Sequence, residues 1–151
     1  MADLPQVQSL DDSLRWLDRI ERAASVKAIG AWPLGAVLEH LAQSIEMSMD
    51  GYPQPRSPLF QGTAGSAAFA WFKWRGRMSH GLAEPIPGAP ALMAGAQWQP
   101  AAVRLRGAIT RFNGYNGPLR PHFAYGALTK PEFALAHNLH IANHQDEILV
   151  A

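Results

Sequence analysis

The chain has 151 residues, 48% hydrophobic and 17% charged, with a formal net charge of +1. These values describe one ordinary folded domain, exclude a largely disordered chain, and supply no electrostatic pull toward nucleic acid or an anionic membrane. Cysteine is absent, which removes disulfides, thiolate nucleophiles, Cys-type zinc sites and iron–sulfur clusters together.

The first predicted helix starts near Ser9, three residues before Asp12 in a variant capping box, and carries Leu10, Leu14, Leu17, Ile20 and Ala24 at helical spacing. A second is expected from about Pro33, with Leu34, Val37, Leu38, Leu41, Ile45 and Met49 as its apolar stripe. Gly51 and Pro53 stop it. Residues 52–65 are rich in proline and glycine and read as an irregular connection. A third helix is predicted from Ser66 to about Ser79, bearing Phe69, Trp71, Phe72 and Trp74.

Residues 81–100 hold Pro85, Pro87, Pro90 and Pro100 with Gly88 and Gly95, a long loop of the kind that covers sites. A fourth helix follows from Pro100 to Phe112. After a second glycine- and proline-rich stretch, Thr129-Lys130-Pro131-Glu132 forms the strongest N-terminal cap of the chain. No alternating strand pattern and no repeat appears. The expected fold is all-α: four main helices and a shorter one, packed as a bundle with long Pro/Gly-rich connections.

Three of the six histidines, His137, His140 and His144, fall on the last helix. At about 100° per residue they lie within roughly 60° of one another, on the side that also carries Phe133 and Ile141. Ile148 continues that side and Leu149 the opposite one if the helix runs on. Adjacent buried imidazoles are unfavourable unless their nitrogens find partners, and a divalent metal is one such partner. His140 and His144 can reach one ion from consecutive turns; a third ligand must come from elsewhere. His40, on the flank of the second helix's stripe, is the best candidate, although a structural role for it alone stays open. No carboxylate is read on the face of His140 and His144, so no general base is named.

The segment from Trp32 through His40 to Pro53 resembles the second-helix signature of an uncharacterised, domain-of-unknown-function branch of the DinB-like superfamily. Pro85 to Pro90 resembles its central loop. His122-Phe-Ala-Tyr-Gly-Ala-Leu-Thr, followed by the helix with His137, His140 and His144, resembles its C-terminal block. The resemblance implies an up-down-down-up four-helix bundle across residues 1–151. It also implies a divalent metal, nickel or zinc, on His40, His140 and His144, with His137 and His122 at the pocket as alternative ligands or proton carriers.

His140-Ile-Ala-Asn-His144 is not a zinc-protease motif, because Ile141 stands where the general-base glutamate is required. No phosphate loop, dinucleotide fingerprint or nucleophile elbow exists. Around Trp71 and Trp74, the basic residues Lys73, Arg75 and Arg77 suggest solvated charges beside buried aromatics, not a nucleic-acid face. The expectation is a cytoplasmic, metal-dependent transferase or hydrolase acting on a small molecule, its pocket roofed by the 81–100 loop. The alternative is a non-catalytic, ligand-binding or homodimerising bundle without metal, the exposed part of the aromatics forming the dimer face.

Overall fold

The computed structural model describes residues 5–79, 81–92 and 97–151; Gly95 of the proline-rich loop lies outside the described residues. Helix α1 (Leu10–Arg22) begins at the expected cap. Ser9 Oγ accepts the Asp12 N–H at 3.1 Å and the Asp12 carboxylate accepts the Gln8 N–H at 2.9 Å, satisfying two end donors reciprocally. The helix ends at Arg22, so Ala24 falls beyond it, while Trp16 joins Leu10, Leu17 and Ile20 in the core.

Helix α2 (Leu34–Asp50) starts after Pro33 and stops at Gly51, whose φ of 110° few other residues adopt. Its predicted stripe is buried in full, and so are His40, Gln43, Ser44 and Ser48. A helix enclosed this far around its circumference belongs to the middle of a domain.

The stretch expected to be irregular from 52 to 65 is helical in its second half. Helix α3 (Pro58–Phe60), a π-helical turn (Gln61–Gly65) and α4 (Ser66–Arg75) follow one another directly. The start is set by Ser57, whose Oγ accepts the Phe60 N–H at 3.2 Å, with proline in the first turn. Gly65 lets this segment press on the turn around Ala124: a Cβ there would overlap the Ala124 carbonyl oxygen. Helix α4 ends at Gly76 (φ 66°), short of the Ser79 expected. Its aromatics are not buried as predicted. Only Phe69 is, while Trp71 and Trp74 stack on each other 52% and 79% exposed.

Helices α5 (Gln99–Asn113) and α6 (Lys130–Gln145) complete the bundle; α5 lies chiefly on α2 and also on α1, and α6 packs on the same two. The α6 capping box is formed as expected: Thr129 Oγ1 accepts the Glu132 N–H at 3.3 Å, and Glu132 accepts the Thr129 N–H at 3.0 Å. Among the described residues no helix is long and apolar enough to cross a membrane.

The all-α expectation needs one correction. Strands β1 (Val26–Ala28) and β2 (Ile148–Val150) form a small antiparallel sheet, with Val26 opposite Val150 and Ala28 opposite Ile148. Three residues are too few for alternation to register in a sequence. The last helix therefore does not continue through Ile148 and Leu149; the chain leaves it after Gln145 to pair with β1.

Gly65→Ala should lower folding stability by about 1–3 kcal/mol, because the added methyl meets backbone and no rotamer change relieves it. Urea unfolding of the variant checks this, and an unchanged midpoint would show that the turn at Ala124 yields freely.

Candidate metal centre

His140 and His144 stand on consecutive turns of α6, and α2 brings His40 to them across the bundle. His40 Nε2 lies 3.1 Å from His140 Nε2. The three ring centroids are 4.9–5.1 Å apart, and all three ligating nitrogens fall within 4.8 Å of one another. Two imidazole nitrogens sharing one ion at about 2.0–2.1 Å stand roughly 2.8–3.4 Å apart for angles between octahedral and tetrahedral. The His40–His140 separation matches that interval. Neutral imidazoles at this spacing could hold a metal ion.

Burial differs among the three. His144 is fully buried, His40 is 3% exposed, and His140 is half-buried. The Trp32 ring, just before α2, packs against the His40 ring in a T-shaped contact with centroids 5.2 Å apart.

Behind His144 sits a carboxylate that the sequence reading missed. Glu147 is 2% exposed, and its Oε2 lies 3.3 Å from His144 Nδ1. A carboxylate at that distance keeps the imidazole proton on Nδ1 and leaves the Nε2 lone pair for a metal, the support that ligating histidines commonly receive. Glu147 is fixed from both sides. Its N–H bonds to the His144 carbonyl at 3.1 Å, and its own carbonyl accepts the Ile29 N–H at 2.8 Å. Gly30 leaves room for the carboxyl group, since a Cβ there would stand 3.2 Å from Oε1. Carried one turn past the helix end, the α6 wheel puts Glu147 within about 60° of His144. That was the available signal, and it was weak, because Glu147 is not helical.

A cavity of about 250 Å³ opens beside His40 and His140 and is lined also by His122 and His137. Glu84, Pro85, Ile86 and Pro87 of the proline-rich loop form part of its wall, as the roof expected from that loop. The loop is tied down by the buried Ile86 and by Gln43 Nε2, which donates to the Pro90 carbonyl at 3.1 Å.

His122 and His137 line this cavity and stand outside the ligand group, each held by other partners. His137 Nε2 is 3.1 Å from Ser48 Oγ, with the rings of Phe112 and Phe133 against it. His122 Nδ1 accepts the N–H groups of Ala124 and Tyr125, both at 3.1 Å, and its ring stacks on Tyr125 at 4.1 Å. Burial lowers both imidazoles to about 3, helped at His122 by the neighbouring His137. Both are neutral at physiological pH. Burial likewise pushes the Tyr125 hydroxyl up to about 12.

A family model described as protein of unknown function (DUF1569) matches residues 2–150. No curated protein and no solved structure matches the chain.

Two outcomes follow from this geometry. Glu147→Ala should weaken zinc binding by about 10- to 100-fold, with partial recovery in Glu147→Gln, which still offers an acceptor; a chromophoric-chelator competition measures it, and equal affinity in all three proteins would refute the supporting role. The His122 and His137 imidazoles, with folded values of about 3 against about 6.5 unfolded, bind fewer protons folded than unfolded between those limits. Stability should therefore be complete above about pH 6.5 and fall as the pH drops toward 3. Nitrogen-15 shifts of both rings should stay at neutral values down to pH 5.

Proposed function

The chain belongs to the DUF1569 family, and we propose that it is a divalent-metal-dependent enzyme acting on a small molecule, with His40, His140 and His144 as the ligands. The observation that carries this reading is the 3.1 Å approach of His40 Nε2 to His140 Nε2 from separate helices, in a site also supported by Glu147. An all-imidazole set suits zinc or nickel better than magnesium or calcium, which prefer oxygen donors. Three protein ligands leave coordination positions for a substrate, the pattern of catalytic and not of structural sites. The DinB-like up-down-down-up topology belongs to the same proposal. It is supported by the pairing of α5 and α6 with both α1 and α2, and by the placement of one histidine on α2 and an H-x-x-x-H pair on α6.

An ion held by these histidines would supply Lewis acidity beside the cavity that His40 and His140 line, the chemistry that a transferase or hydrolase needs. The chain's own residues do the rest. Glu147 holds the proton on His144 Nδ1 and so orients that ring. Ile86 and its flanking prolines give the cavity an apolar stretch of wall. His122 and His137 present neutral walls, so neither repels a cation held nearby.

A second reading is a metal-free bundle that pairs with a second copy. It is favoured by the stacked, exposed Trp71 and Trp74 on α4, more apolar area than a short surface helix ordinarily leaves in water.

Protein purified without an affinity tag should carry close to one equivalent of zinc or nickel by elemental analysis, and His140→Ala or His144→Ala should lose it. Chelation should lower the melting temperature of the wild type and leave the variants unmoved. Metal content unchanged by either substitution would eliminate the proposed centre. Sedimentation of Trp74→Ala separates the second reading: a wild-type dimer that this substitution dissociates would support it.

A further inference from the structure

The cavity beside the histidine centre has an asymmetric wall. Arg56 lines it, with its guanidinium over the Phe60 ring at 5.3 Å and, among the described residues, in no ion pair. The Arg56 N–H donates to the Phe123 carbonyl at 2.8 Å, so the strand of chain carrying Arg56 runs beside the turn carrying His122. Gln61 Nε2 ties the same turn through the His122 and Phe123 carbonyls at 3.4 and 3.3 Å.

His122 adds a fixed donor to this wall. Because Nδ1 accepts two backbone N–H groups, the ring proton must sit on Nε2. No protein group among the described residues accepts from that Nε2–H, and the atom is not among those sealed from solvent without a partner. That edge of the ring is therefore open to a ligand's acceptor, and His122 lines the cavity.

We propose that Arg56 and His122 form a carboxylate subsite. The cavity would then take a small organic monoanion whose carboxylate accepts from the Arg56 guanidinium and His122 Nε2–H. Its apolar body would lie against Met78, Ile86, Phe123 and Ala136, which line the same space. This deepens the enzyme reading above, since it names the class of substrate presented to the His40–His140 end.

Charge and size both select this class. One guanidinium and one neutral N–H match a single negative charge, and a guanidinium fork fits a planar carboxylate. A phosphate dianion would bring a second charge toward Glu84, which lines the same cavity. A volume of about 250 Å³ exceeds the roughly 150 Å³ apolar cavity that accepts benzene. A ring bearing a short acidic arm therefore fits.

The test is calorimetric titration of the full chain, with and without one equivalent of Zn²⁺, using phenylacetate, its neutral isostere phenylacetamide, and inorganic phosphate. Phenylacetate should bind at least about tenfold more tightly than the amide in both metal states, and phosphate should bind more weakly than phenylacetate. Arg56→Gln should bring acid and amide to parity. His122→Asn, which retains an acceptor for the Ala124 and Tyr125 N–H groups but loses the Nε2–H, should reduce phenylacetate affinity about tenfold. Equal affinity for acid and amide, absence of binding by either, or phosphate binding the more tightly would overturn the assignment. An acid preference that appears only with zinc and survives Arg56→Gln would mean that the ion, not this wall, holds the anion, and overturns it too. Zinc uptake in the same titrations tests the metal centre separately, so either conclusion can fail alone.

Discussion

The contact on which the site depends is the one between His144 and Glu147. A fully buried imidazole and a buried carboxylate are each costly alone, and their contact satisfies one polar atom of each. Their union sets which nitrogen of His144 faces the centre. The chain leaves α6 after Gln145, and Glu147 is held in the turn that follows. The small sheet secures that departure: β2 pairs with β1, and the Ile29 N–H holds the Glu147 carbonyl. Two three-residue strands, which also bring Ile148 and Val150 into the core, thus flank the backbone that carries Glu147.

The opposite wall is organised by a different rule. There the imidazoles are denied charge by burial and given defined partners, Ser48 for His137 and two backbone N–H groups for His122. The turn that holds His122 is closed by its own bridge to Gly126 and pressed by the π-helical turn at Gly65. The cavity beside an imidazole cluster suited to a cation is lined also by one guanidinium, Arg56, and one carboxylate, Glu84.

Helix α4 stands apart from this economy of burial. With Phe69 alone enclosed, it owes its stability to its continuity with the preceding helical turns and to Gly76 at its end. Its outward tryptophans share a face with Arg75, whose guanidinium lies over Trp71 at 5.6 Å. The expectation of solvated charges beside buried aromatics fails there, because aromatic residues occur around most of its circumference and one face alone is covered.

Much was legible without coordinates. The caps at Ser9 and Thr129, the stop at Gly51, and the stripe of α2 are local chemistry, decided by which side chain can satisfy which end of a helix. The gathering of His140 and His144 on one face is likewise arithmetic on a single helix. The tertiary structure alone decided that His40, a flank residue by its wheel, meets that pair, because the rotation of α2 is set by what packs on its other sides. It also decided the helical turn before α4, the exposure of Trp71 and Trp74, and the burial of Glu147. Each of these depends on contacts between residues distant in sequence, and a helical period carries no information about which distant segment will cover a given face.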